Sequence, residues 1–236
     1  MAAFDRAEFE RDGFVTLPRA LDAGPLKAEL INALELGTRR AMATGVARVQ
    51  YVPMMHPRST PVSLALLHHF QALAAEALGG SVLPVRAKGM RYFGDTSWHV
   101  DSSRPVASVG FLAYLEPLTA GQGALRVRPG SHRGMPSAEV AIETQPGEVI
   151  VFDEHLQHAS SGGGQRHQWR VDFVREPRSA QEEEEVRAYF AAIFPADWDG
   201  GVDVEAFPSY PSGWAPAGHR GAARLGELGV YALAAR

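Results

Sequence analysis

From residue 82 onward the chain breaks into short apolar runs, each closed by a cluster of Gly, Pro or Ser: "VLPVRAKGMRYF", "PVASVGFLAYL", "GALRVRP", "EVIVF", "LQHAS" and "HQWRVDFV". β-Branched and aromatic residues favour such runs because they pack well on a pleated surface, and the turn residues between them reverse the chain. Strands this short at this spacing predict an antiparallel sandwich or barrel, not alternating β and α units.

The flanks carry a different period. "DRAEFERDG" reads as a short helix from Asp5 to near Gly13, followed by a brief strand in "FVTLP". Residues 22 to 44 open on a capping Asp22 and keep a helical apolar period, and residues 61 to 78 form a second such segment stopped by Gly79 and Gly80. Helical pattern returns in "SAQEEEEVRAYFAAIF" and "RGAARLGELGVYALAAR", with the acidic run Glu182 to Glu185 suited to a first helical turn. The fold class expected is mainly β with flanking helices. One domain is expected over residues 1–236: a helical part over about 1–80, a β core over about 82–176 and a helical extension over about 177–236.

Composition narrows the chemistry. With 45% apolar and 21% charged residues the chain is an ordinary globular one, and no apolar run reaches membrane-spanning length. The charged start "MAAFDRAEFERDGF" does not resemble a secretory signal, so a cytoplasmic location is expected. A net charge of −4 argues against a general nucleic-acid binder. There is no cysteine, so a bound metal must sit on His, Asp or Glu.

One candidate pair stands in "SWHVDSS". Among 9 His and 27 acidic residues, roughly one His-x-acid triplet arises by chance, so His99 and Asp101 need partners before they mean anything. On a strand both would leave the same face. A third ligand is to be sought among His132, His155, His158, His167 and His219. His158 is the strongest, placed after a buried strand and before the glycine loop "SSGGG". Two His and one carboxylate leave three open positions on an octahedral ion, an arrangement suited to non-haem Fe(II). A keto-acid cosubstrate would need a cation for its far carboxylate, and Arg166 and Arg170, four apart on one strand, share a face from which either could serve.

The order "GFVTLP", "WHVD", "LEPLTAGQGALRVRPGSHRG", "PGEVIVFDEHLQHAS" and "RHQWRVDFV" resembles the phytanoyl-CoA dioxygenase family of Fe(II)/2-oxoglutarate oxygenases over about residues 12 to 175. That resemblance implies a double-stranded β-helix, or jelly roll, with helices packed outside. It implies Fe(II), 2-oxoglutarate and O₂ as the cofactor set, with ascorbate as the reductant in vitro. It makes His99, Asp101 and His158 the iron ligands and favours Arg166, which opens the last core strand, as the 2-oxoglutarate clamp. The gap from His158 to Arg166 is shorter than the family's, which keeps Arg170 as the rival. His132, in the Pro-Gly-Ser-His stretch, is normally structural, and His155 is expected on the opposite face or the rim. Halogenating relatives lack the carboxylate, so the retained Asp101 favours hydroxylation or another oxidation.

The substrate is expected to be a small molecule such as a secondary-metabolite intermediate, bound at the barrel mouth near Tyr92, Trp98, Ser102, Ser103 and Arg104. The stretch "QYVPMMHPRS" with His56 is a further candidate lining, and Arg126, Arg128 and Arg133 are read chiefly as surface charges. Oligomeric state is left open. Two rivals are a cupin-like metalloenzyme without 2-oxoglutarate and a non-enzymatic binding protein on the same fold.

Overall fold

The structure is a computed structural model, and residues 4–44, 47–194 and 201–234 are described. The chain runs α1 (Arg6–Asp12), β1 (Phe14–Leu17), α2 (Ala23–Gly37), β2 (Met42–Thr44), β3 (Ala47–Pro53) and α3 (Pro61–Leu78). The core strands follow: β4 (Val82–Phe93), β5 (Thr96–His99), β6 (Ser108–Tyr114), β7 (Leu125–Val127), β8 (Val140–Ile142), β9 (Val149–Asp153), β10 (His158–Ser160) and β11 (Gln165–Arg175). Three helices close the chain: α4 (Ala180–Ile193), α5 (Arg220–Glu227) and α6 (Val230–Ala234).

The strands form two antiparallel sheets. The larger has the order β1-β9-β6-β11-β4-β3-β2, the smaller β5-β10-β7-β8. This is the expected mainly β jelly roll with flanking helices. Residue parity divides it. On the larger sheet Val85, Ala87, Val109, Phe111, Val151, Trp169, Val171 and Phe173 face outward into a core shared with Leu26, Leu30, Leu67 and Phe70 of the helices. The alternate residues Leu112, Tyr114, Ile150 and Phe152 face inward and meet Leu125, Val127 and Ile142 of the smaller sheet. Arg86 and Lys88 of β4 and Arg166, Arg170 and Asp172 of β11, on the other parity, therefore look into the barrel.

Local signals explain the helix ends. Asp5 accepts from Glu8 N and Gly13 closes α1 at φ 84°. Asp22 accepts from Gly24 N at the start of α2, and Gly79 ends α3 at φ 65°. Ser179 accepts from Glu182 N while Arg178 N donates back to the Glu182 carboxylate, a reciprocal cap that accounts for the acidic start of α4.

Two expectations need correction. The helix expected over residues 22 to 44 stops at Gly37, and Met42–Thr44 is a strand paired with β3. Gly37 packs so closely that a Cβ there would lie 2.6 Å from Phe207 and 2.7 Å from Val52, and the chain leaves the helix at Thr38 to bridge Val202, with Arg39 N on Gly201 O at 2.9 Å. The brief strand expected in "FVTLP" is β1, but the stretch before residue 80 holds two further strands, β2 and β3, that also belong to the larger sheet. Met54 and Met55 are fully buried in the outer core, so they line no mouth.

Glu116 pins α2 to the barrel, accepting from His167 N and Nδ1 and pairing with Lys27 Nζ at 3.0 Å. Burial alone would raise its pKa, but His167 and Lys27 together bring it down to about 2. A depressed carboxylate contributes stability above its unfolded pKa and loses it as pH falls toward the folded value. Glu116→Gln is expected to lower unfolding stability by about 1–2 kcal/mol at pH 7. In chemical denaturation the gap between variant and wild type should close as pH drops from about 4.5 toward 2.

Candidate metal centre

β5 and β10 pair with His99 opposite His158, but Thr96 stands opposite Ser160. Four residues on β5, Thr96 to His99, thus span three on β10, His158 to Ser160, a bulge that turns side chains which strict alternation would place on opposite faces. Thr96 bonds Ser160 Oγ at 2.7 Å inside the barrel, and His99 also faces inward. Trp98 is left on the far face, with the Arg126 and Arg128 guanidinium groups 5.5 and 4.3 Å from its ring centroid. β5 ends at His99, so Asp101 is presented by the following turn, whose Asp101 and Ser102 amides donate to Glu154 O at 2.9 and 3.2 Å.

His99, Asp101 and His158 converge, with one ligand atom of each lying within 4.8 Å of the others. His99 Nε2 is 3.5 Å from Asp101 Oδ1, and His158 Nε2 is 3.5 Å from Asp101 Oδ2. Each imidazole has its Nδ1 on a backbone carbonyl, Ser97 O at 2.7 Å and Leu156 O at 2.9 Å. That bond fixes Nδ1 as the protonated nitrogen and aims the Nε2 lone pair at the shared space. Two imidazoles that present Nε2 and one carboxylate between them fit a divalent first-row metal such as Fe(II). Burial lowers the pKa of His158. For Asp101 burial works in the opposite sense, yet Arg170 and the two histidines hold it well below the usual carboxylate range.

The two arginines differ in their company. Both lie on the inward face of β11 and both are nearly inaccessible, 2% exposed for Arg166 and 6% for Arg170. Arg170 donates to three carboxylates: Asp172 from Nε, Asp101 from Nη1 and Glu154 from Nη2. Arg166 meets no carboxylate among the described residues: it donates to Gly94 O at 2.7 Å and Ser160 Oγ at 2.5 Å, has the Tyr114 hydroxyl beside it and Tyr92 5.0 Å beneath its plane, and leaves Nε unbonded. A buried guanidinium without an anion is a ready carboxylate site, whereas Arg170 is already saturated.

The short loop between His158 and Arg166 has a structural basis. Gly123 N donates to Ser161 O at 3.0 Å, so two glycine turns lie backbone against backbone. A Cβ on Gly162, at φ 72°, would fall 1.8 Å from Gly121 O; one on Gly163 would fall 2.9 Å from Gly123 Cα. Only glycine permits this approach, and it delivers Arg166 directly behind Ser160.

The remaining candidates lie elsewhere or on the rim. His132 Nε2 faces Glu10 O at 3.3 Å and Arg133 donates to the same carbonyl, tying the Pro-Gly-Ser-His turn to α1. His155 bridges Asp153 and Arg104 O, which raises its pKa to about 9 through the Asp153 bond. His167 pairs with Glu116, His219 caps α5, and His56 Nδ1 accepts from Arg58 N and Ser59 N. Ser102 is buried and accepts from Arg104 N, while Ser103 and Arg104 are exposed at the rim. The sequence reading passed over Thr96, Ser160, Lys88, Glu154, Asp172 and Tyr189. The period of two on β11 that joins Arg166 to Arg170 also reaches Asp172, and Lys88 stands opposite Arg170 on β4.

Comparison with known proteins agrees with this geometry. The family model described as phytanoyl-CoA dioxygenase (PhyH) matches residues 9–168, more than half of the chain. The chain belongs to that family, and it is a non-haem Fe(II)/2-oxoglutarate-dependent oxygenase. No curated protein sequence matches it. Among solved structures it is similar to the non-heme α-ketoglutarate-dependent epimerase SnoN from nogalamycin biosynthesis, at 19% identity and TM-score 0.62, covering 72% of this chain and 81% of that one. It is similar to HygX from Streptomyces hygroscopicus with nickel, 2-oxoglutarate and hygromycin B bound, at 16% identity and TM-score 0.58, covering 73% and 88%. The carbocyclase SnoK from nogalamycin biosynthesis follows at 15% identity and TM-score 0.61, covering 72% and 83%. At these identities the likeness is one of fold. Among the described residues no helix is long and apolar enough to cross a membrane.

Gly162→Ala tests the loop. The substitution is expected to cost about 1–3 kcal/mol of stability, since an L residue there is strained and collides with Gly121 O. Thermal melts should show the loss, and Gly164→Ala, which meets nothing within 4 Å, should show little of it.

Proposed function

We propose that His99, Asp101 and His158 hold Fe(II), that Arg166 binds the far carboxylate of 2-oxoglutarate, and that the chain oxidises a small molecule of the secondary-metabolite class. The observation that carries the reading is the pair of Nε2 atoms turned toward Asp101 by backbone-anchored Nδ1 atoms. Imidazoles recruited only for packing have no reason to share one carboxylate in this way. When bound with 2-oxoglutarate and O₂, the iron supplies the oxidant for a substrate C–H bond as the cosubstrate is decarboxylated to succinate and CO₂.

The chain's own residues then have separate tasks. The two histidines and Asp101 would hold the ion through three ligand atoms, which leaves coordination positions for cosubstrate and O₂. Arg166 fixes 2-oxoglutarate from the far end, with Ser160 and Thr96 orienting the guanidinium from one side and Tyr92 lying under it. Ser103 and Arg104 follow the metal pair on the rim, where a substrate approaching the metal would pass, with Ser102 buried beneath them and accepting from Arg104 N, and we assign Tyr92 to the cosubstrate end. Trp98 stacks between two arginines outside, so any contact it makes with substrate runs through the loop it anchors.

The reaction class is one that its structural neighbours diversify, being named an epimerase and a carbocyclase. Hydroxylation is the simplest outcome for an ion that keeps its carboxylate ligand. The small-molecule class is supported by the structures of SnoN in complex with nogalamycin RO and of HygX with hygromycin B bound. A cytoplasmic setting accords with this reading, since 2-oxoglutarate and ferrous iron are both available there.

Anaerobic addition of Fe(II) and 2-oxoglutarate should produce a visible metal-to-ligand charge-transfer band, and aerobic turnover should release succinate. Replacing His99 or Asp101 by Ala should remove the band; a band of wild-type strength in both variants would refute the ligand set. Arg166→Ala should raise the 2-oxoglutarate concentration needed for half of that band by about 10- to 100-fold, the loss of one charge-assisted bidentate contact. Arg170→Ala measured alongside should raise it far less.

A further inference from the structure

Arg170 was the rival clamp, and its geometry gives it another task. Each of its three nitrogens is committed to a carboxylate from a different part of the fold: Asp172 on its own strand, Asp101 on the turn after β5, and Glu154 on the turn after β9. The side chains of Arg170, Glu154 and Asp172 are 7%, 4% and 1% exposed. Gly110 makes room, since a Cβ there would meet Phe152 at 2.8 Å and Arg170 Nε at 3.1 Å. Phe152 lies under the guanidinium with its centroid 4.7 Å away.

The partners are themselves held. Glu154 accepts from Tyr189 Oη of α4 at 2.6 Å, and Glu154 O receives the Asp101 and Ser102 amides. Asp172 accepts from Lys88 Nζ at 2.8 Å, with Arg86 Nε 3.6 Å away. Arg86 in turn donates to Ile193 O at the end of α4 at 2.7 Å. A continuous polar chain thus runs from α4 through Tyr189, Glu154 and Arg170 to the carboxylate between the two histidines.

We propose that Arg170 is a positioning residue for the metal centre, orienting the Asp101 carboxylate for ligation and, through Glu154 and Tyr189, tying that orientation to α4. The inference rests on the ligand set proposed above. A guanidinium is suited to this because its planar fork meets three carboxylates at fixed angles; an ammonium carries the same charge but cannot. The two influences of Arg170 oppose each other. Its charge weakens Asp101 as a donor, and its hydrogen bond pre-orients it, so a variant that keeps the charge isolates the second effect.

The test is Co(II) affinity, followed by the visible absorption of the bound ion, in the full chain and its Arg170→Lys, Tyr189→Phe and Arg166→Ala variants. Arg170→Lys is expected to weaken Co(II) binding about 10- to 100-fold, the usual cost of losing an outer partner of a metal ligand. Tyr189→Phe, which changes no charge, should weaken it about 3-fold through the loosened Glu154. Arg166→Ala should leave it within about 2-fold, since that residue touches no ligand. With Fe(II) saturating, the 2-oxoglutarate dependence of the charge-transfer band should be near wild type in Arg170→Lys. Wild-type Co(II) affinity in a folded Arg170→Lys protein overturns the proposal. If that variant does not fold, unchanged affinity in Tyr189→Phe overturns it. A wild-type chain that takes up neither Co(II) nor Fe(II) would instead overturn the ligand set on which the inference stands.

Discussion

A guanidinium stays charged wherever it is placed, so carrying one into a protein interior commits the surrounding fold to supplying anions. In this chain Arg170 imposes that condition at the centre of the barrel. Asp172 lies two residues along the same strand, but Asp101 and Glu154 can reach Arg170 only when the β5 turn, the β9 turn and β11 are in register. Replacing such a network by apolar residues is often neutral or favourable for stability, so its use is better sought in what it orders than in how much it stabilises. What it orders is the carboxylate between two imidazoles.

The same strand carries the contrasting case. Arg166, four residues earlier and on the same face, has no carboxylate within hydrogen-bonding distance among the described residues. One strand therefore offers one neutralised cation beside the His99, Asp101 and His158 cluster and one cation that meets no carboxylate among the described residues. The glycine loop makes this division workable. By passing Gly162 and Gly163 directly over Gly121 and Gly123, it brings β11 back within a short span and sets Arg166 against Ser160.

Much of this was legible in the sequence, and the illegible part has definite causes. Turn clusters and β propensity marked the core strands, and parity assigned Arg166 and Arg170 to one face. Helical period carried past Gly37 because nothing local announces that Phe207 and Val52 will crowd that glycine. Strands β2 and β3 went unread for a similar reason, since the pairing of β3 with β4 and of β2 with β3 is a tertiary fact. At the site, the spacing of His99 and Asp101 was informative although the geometry behind it differs. Asp101 sits on a turn, and a bulge between Thr96 and His99 aims the histidine. The choice between the arginines could not be read from spacing, because it depends on Glu154 and Asp101 arriving from distant elements. Extending the parity of β11 by one step to Asp172 would have hinted that Arg170 was already paired.

The most direct measurement is a crystal structure of the full chain grown anaerobically with Fe(II) and 2-oxoglutarate. The account predicts iron on His99 Nε2, His158 Nε2 and Asp101, the far carboxylate of 2-oxoglutarate on Arg166, and Arg170 still bonded to Asp101, Glu154 and Asp172. Iron on other residues, or the 2-oxoglutarate carboxylate on Arg170 with its three carboxylates displaced, would contradict it.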